Sequence, residues 1–217
     1  MNEIRLYFDD VYFDVPGGDI LLWRAGWRPS SLLIARGSRS IYSHVAMTAW
    51  WSQVEPNPSL CEPWRCDEGN YFANPLPHRR LVLLDTLQWV GGRRKSVEDT
   101  VAVHPGRWEW YHVRSDLPYD RRAAVAKAAE IVGLRYGWGA LAWAAIRNAA
   151  VMRWILPPDR DDDTNGMLPH CAAAASAAMK AGGLDPVPHC SNRSTTPGDL
   201  ERSATLEYRG TLYGEAR

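Results

Sequence analysis

The sequence predicts an α+β domain. Short alternating or apolar runs of strand length fill the first half, and alanine-rich stretches of helical length take over after about Pro118. With 217 residues, 46% of them hydrophobic and 23% charged, the chain can bury one substantial core, so a single domain over residues 1–217 is expected.

The expected strands come first. Residues 4–8 alternate, residues 19–23 follow a Pro-Gly-Gly turn, and residues 44–51 form the short apolar run of a buried strand. Residues 30–36 suffice for one or two helical turns, with Ser30 or Ser31 as cap. Residues 80–85, 99–103 and 108–113 read as further strands, and Gly92-Arg93-Arg94-Lys95 as a solvated loop. A loop-rich insertion at about 53–80 carries Pro56, Pro58, Pro63, Pro75 and Pro77, too many prolines for continuous regular structure. Loops of that length are usually functional or mobile.

Helices follow. Residues 123–132 form one, with Ser115 or Asp116 as cap and Gly133 closing it, and Tyr136-Gly137-Trp138 opens the next. Pro157 and Pro158 stop that second helix, and an acidic linker at about 157–168 leads to a third, from Cys171 to about Lys180. A Pro197-Gly198-Asp199-Leu200 turn and a strand near residues 206–212 complete the pattern. There is no internal repeat.

Charge and targeting signals bound the partners. Lys+Arg 25 against Asp+Glu 25 leaves no overall field to draw the chain to nucleic acid or an anionic membrane. The apolar stretch 138–156 contains Arg147, Asn148 and Arg153, and an arginine at the centre of a spanning helix costs roughly 2.5–3.5 kcal/mol, so stable membrane insertion is not expected. Residues 1–5 do not read as a secretory signal, so a cytoplasmic location or a non-classical delivery route is expected.

Cysteine chemistry carries the functional expectation. Cys171 opens an alanine-rich helix just after Pro169-His170, where the helix dipole favours a thiolate and backbone N–H groups can meet an oxyanion. His44, on an apolar strand, is the candidate general base, and Asp85, ending the run 81–84, the carboxylate that would orient it. Cys171 and His44 each, taken alone, favour a plain packing role, and Asp85 reads equally as a strand-end aspartate in a turn; the hydrolase reading rests on their combination. A Cys171 sulfur beyond hydrogen-bond reach of His44 would remove that reading. Cys190, which follows His189 in a loop, is the rival nucleophile. Cys61 and Cys66 with His78 make only a weak metal signal, because Cys-x4-Cys lacks a second pair, so neither metal nor cofactor is expected. Nucleotide-binding, zincin and serine-hydrolase motifs are absent.

Gly18-Asp19-Ile20-Leu21-Leu22, Tyr42-Ser43-His44-Val45-Ala46, Tyr136-Gly137-Trp138, Cys171 and Thr196-Pro197-Gly198-Asp199-Leu200 occur in that order. In this the chain resembles the YiiX-like, circularly permuted branch of the NlpC-type papain-like cysteine peptidases. The resemblance implies a central antiparallel sheet packed against helices, Cys171 as nucleophile, His44 as base, Asp85 as third polar residue, and Tyr42 and Tyr136 beside the substrate. It also implies a cysteine peptidase or amidase acting on bacterial cell-wall peptide, reached by lysis, a secretion system or a phage particle. Alternatives are an acyl or lipid hydrolase or acyltransferase with the same chemistry, and a non-catalytic module retaining the fold. Two departures bear on substrate choice: Ala172-Ala173-Ala174 after the cysteine, and the insertion between His44 and Asp85.

Overall fold

The computed structural model describes residues 4–50, 80–148 and 168–214. The proline-rich insertion with Cys61, Cys66 and His78, and the acidic linker up to residue 167, lie outside the described residues.

Seven strands form one sheet in the order β1-β7-β6-β2-β3-β4-β5. They are β1 (Arg5–Tyr7), β2 (Ile20–Arg24), β3 (Tyr42–Trp50), β4 (Leu81–Leu87), β5 (Gly91–Ser96), β6 (Trp108–Val113) and β7 (Leu206–Tyr213). All pairings are antiparallel except β1 with β7, at one edge. The helices are α1 (Phe8–Val11), α2 (Pro29–Gly37), α3 (Val97–Val103), α4 (Arg121–Ala129), α5 (Trp138–Asn148), α6 (Cys171–Ala181) and α7 (Pro197–Glu201). The architecture is therefore mixed α+β.

Period-two alternation divides the core between the two faces of the sheet. Ile20, Leu22, Val45, Met47, Val82 and Leu84 meet Ala172, Ala175 and Met179 of α6 and Ala124, Val125 and Ala128 of α4. Leu21, Ala46, Leu81, Leu83, Trp108 and Trp110 meet Phe8 of α1 and Val97 and Val101 of α3 on the other face. Each fully buried aliphatic side chain contributes about 1.5–3 kcal/mol relative to exposure. Trp108 and Trp110 are thus core residues.

Four expectations are corrected. Residues 99–103 belong to helix α3, because the Ser96 side chain accepts from Asp99 N and caps a helix at that point. Gly92-Arg93-Arg94-Lys95 is edge strand β5, paired with Val82–Leu87 of β4. Residues 197–200 form helix α7, closed by a reciprocal capping box between Thr196 and Asp199. The cap of α4 is Asp120 rather than Ser115 or Asp116; Asp116 is bound by Arg114.

Close backbone approach fixes the segment that leads into the Tyr136 region. Gly92 N donates to Leu134 O (2.7 Å) and Gly133 N to Gly92 O (2.9 Å), locking β5 to the chain after α4. Gly137 N donates to Pro169 O (3.2 Å), and a Cβ on Gly137 would lie 1.8 Å from Leu168 O. Gly137→Ala is therefore expected to lose about 1–3 kcal/mol of stability, read as a lower midpoint in urea, because it pushes away the residues leading into α6.

Candidate active site

Register brings His44 and Asp85 together. Ala46 of β3 faces Asp85 of β4, and His44 lies two residues back on the same side, within diagonal cross-strand reach. The β3–β4 ladder ends at that pair, so His44 lies beyond the last β3–β4 pair. A bulge opposite Trp23 and Arg24 leaves Ser43 as the extra residue, so Tyr42 and His44 turn to opposite faces of the sheet. Without it the two side chains would share a face.

The His44 ring is held on two sides. Its Nε2 lies 2.8 Å from Asp85 Oδ2, and the Trp108 ring meets it edge-on at 6.1 Å. Asp85 is 2% exposed and is gripped also by Arg93, whose Nε donates to Oδ1 (2.9 Å) and Nη2 to Oδ2 (3.3 Å). Burial opposes the charge on Asp85, but the hydrogen bonds and positive charges of His44 and Arg93 outweigh it and hold the carboxyl below its ordinary range. With Nε2 directed to Asp85, Nδ1 is the nitrogen left for the thiol.

Cys171 is the first residue of α6, 4% exposed, and lies near enough to His44 for the charges of the two side chains to interact. Its four following alanines are buried and let the helix pack close to β3 and β4. Cys171 thus packs in the core on the α6 side of the sheet and interacts with His44. Burial pushes the thiol up, yet the His44 charge, aided by His170, brings it down to about 6. For His44 burial works downward, and the Cys171 thiolate and Asp85 raise it to about 10. Both shifts favour a thiolate–imidazolium pair.

Tyr136 also borders the site. It is 7% exposed, and its pKa is raised first by burial and then by the neighbouring Cys171 thiolate. Tyr42 is placed otherwise: it is 2% exposed, and its hydroxyl donates to buried Glu109 and lies 3.0 Å from Tyr111 Oη. Its hydroxyl is thus committed within the core rather than presented to a substrate. The rival thiol, Cys190, lies 3.7 Å from Thr195 Oγ1 in the loop after α6.

Two residues beside the site went unassigned at the sequence level. Arg93 sat in a basic cluster read as loop, and only its pairing register aims it at Asp85. His170, the N-cap of α6, was seen only as a neighbour of Cys171. It is 2% exposed, with Nε2 3.2 Å from Arg193 O, while its buried Nδ1 lacks a well-aligned hydrogen-bond partner. The repeated His-Cys dipeptide was the available signal.

Among the described residues no group of three or more His, Cys, Asp or Glu side chains is placed to hold a metal ion, and no helix is long and apolar enough to cross a membrane.

No family model and no curated protein matches the sequence. A solved structure of the metalloprotein yiiX from Escherichia coli O157:H7 aligns with 91% of this chain and 98% of its own, at a TM-score of 0.47 and 14% identity.

Proposed function

We propose that the protein is a cysteine amidase or peptidase on a permuted papain-like scaffold, with Cys171 as nucleophile, His44 as base and Asp85 as orienting carboxylate. The single observation that carries this reading is the Cys171 thiol neighbouring the His44 ring, whose Nε2 lies 2.8 Å from the buried Asp85 carboxylate.

The chemistry follows from the positions. His44 Nδ1 takes the Cys171 proton, and the thiolate attacks an amide carbonyl carbon. Backbone N–H groups in the first turn of α6 have no intrahelical acceptor and can stabilise the resulting oxyanion. The His44 imidazolium gives its proton to the leaving amine as the C–N bond breaks, leaving a thioester on Cys171. Water, deprotonated by His44, then attacks the thioester, releasing a carboxylic acid and restoring the thiol. Asp85 keeps Nε2 occupied throughout and steadies the positive ring.

The substrate we propose is a bacterial cell-wall peptide, cut at a D-amino-acid or diaminopimelate linkage. Incubation with soluble peptidoglycan fragments, followed by mass spectrometry, tests this: the expected products carry a new carboxylate and a new amine. A second reading, an acyl or lipid substrate, is favoured by one feature. Trp89, 87% exposed, packs on Trp138 at 4.7 Å, and Trp138 in turn meets Tyr136 at 5.1 Å, an apolar wall leading from solvent to the site. Release of acyl chains from lipid vesicles, with the peptidoglycan fragments intact, would select it.

The pH dependence has a definite sign. Turnover is expected to rise as Cys171 ionises near pH 6 and to fall as His44 loses its proton near pH 10. His170→Gln removes a group that favours the thiolate, so the acid limb should move to higher pH while the alkaline limb stays. An acid limb unmoved in that variant would assign His170 to packing alone.

A further inference from the structure

The zero net charge conceals a local imbalance. From Ile20 to Trp50 there is no aspartate or glutamate, yet Arg24, Arg28, Arg36 and Arg39 fall in that stretch. Arg24 is neutralised by buried Glu109. Arg28, Arg36 and Arg39 are exposed and make no ion pair among the described residues. Interleaved with them, Trp27 is 90% exposed, Leu33 73%, Ile41 55% and Leu32 48%. Helix α2 packs on β3 and α5, burying Ala35, and turns these residues outward.

We propose that α2 with its flanks, from Trp27 to Ile41, is a peripheral docking surface for an anionic lipid bilayer. Charge complementarity selects this occupant: the exposed arginines of an acid-free segment meet lipid phosphates, while Trp27 and the leucines enter the headgroup boundary. Arginine suits this place, since its planar fork binds phosphate oxygens in pairs. A second copy fits poorly, because a two-fold contact through this patch would set arginines against arginines. The aliphatic Leu32, Leu33 and Ile41 offer nothing for base stacking.

Docking here would also orient the strand that carries His44. Ser31 Oγ of α2 lies 2.6 Å from Ser43 Oγ, one residue before His44, and accepts from Gly26 N (3.1 Å). The surface is thus tied directly to the strand that carries His44. The proposal stands independently of what Cys171 does.

Flotation of the full-length protein with vesicles of phosphatidylcholine alone, or of phosphatidylcholine mixed with phosphatidylglycerol, tests it. Retention on the anionic vesicles only, weakening as salt rises, is expected. Arg28→Gln with Arg36→Gln should weaken retention about thirtyfold, and Trp27→Ser with Leu33→Ser should abolish it. All four positions are exposed, and unchanged thermal melting will show that the variants fold; should the apolar pair fail to fold, the arginine pair decides alone. Equal retention on both vesicle types, full retention by the arginine variant, or no retention on either would overturn the proposal. So would a dimer, seen by light scattering, that the Trp27 and Leu33 changes dissolve without vesicle binding, which would assign the patch to a second copy.

Discussion

Replacing Cys171 with alanine is expected to lower turnover by about 10⁶-fold, into the uncatalysed background. The size follows from the covalent step: without the sulfur there is no thioester, and His44 and Asp85 are left with no proton donor to act on. Cys171→Ser should fall almost as far, since a hydroxyl ionises much less readily than a thiol at the same site. Cys190→Ala should leave turnover near the wild-type level. A readout that needs no substrate supports the comparison. With its thiol at about 6, Cys171 is mostly thiolate at neutral pH and should alkylate with iodoacetamide well before Cys190, at a rate rising through that pH. Mass spectrometry of the labelled peptides measures both rates. If Cys190→Ala abolishes cutting while Cys171→Ala does not, the nucleophile is Cys190; if neither changes it, the chemistry lies elsewhere.

The sequence made some parts of this molecule legible and hid others for identifiable reasons. Strands β2, β3, β4, β6 and β7 announce themselves through alternation or apolar runs, and the helix beginning at Cys171 through its alanines. Strand β5 was hidden because Gly91, Gly92 and three basic residues carry no hydrophobic period; the pairing with β4 and the backbone of residues 131–134 hold it. Helix α3 was hidden because Val-Glu-Asp-Thr-Val-Ala-Val also alternates in part, and the Ser96 cap decided the outcome. At the site, residue types pointed to Cys171, His44 and Asp85, and the β3–β4 register supplies the geometry that unites the last two. The commitment of Tyr42 to Glu109 could not be read from the chain, since it depends on a one-residue bulge at Ser43.

Charge shows a similar divergence between total and place. A zero sum argues against long-range attraction, and it is blind to an acid-free stretch of some thirty residues whose arginines surround exposed tryptophan and leucine. The acidic residues that balance it include Glu109 and Asp85, which are buried and already occupied by Arg24 and Arg93.

Asp85 is where folding and chemistry depend on one side chain, and its substitutions should separate the two. Asp85→Ala removes the buried carboxylate that Arg93 and His44 share and takes away the orienting acceptor of His44, and should cost about 3–5 kcal/mol of stability. Asp85→Asn keeps the shape and one acceptor oxygen, so it should fold with a smaller loss. Its turnover should nevertheless fall on the order of 10²–10⁴-fold, because the neutral amide no longer steadies the imidazolium. The same loss of negative charge lowers the His44 pKa, so the alkaline limb of the pH profile should move below its position near pH 10. Urea unfolding and pH–rate curves on the two variants give the four quantities needed. An Asp85→Asn protein with undiminished turnover and an unmoved alkaline limb would reduce Asp85 to an anchor for Arg93 and leave His44 to work without a carboxylate.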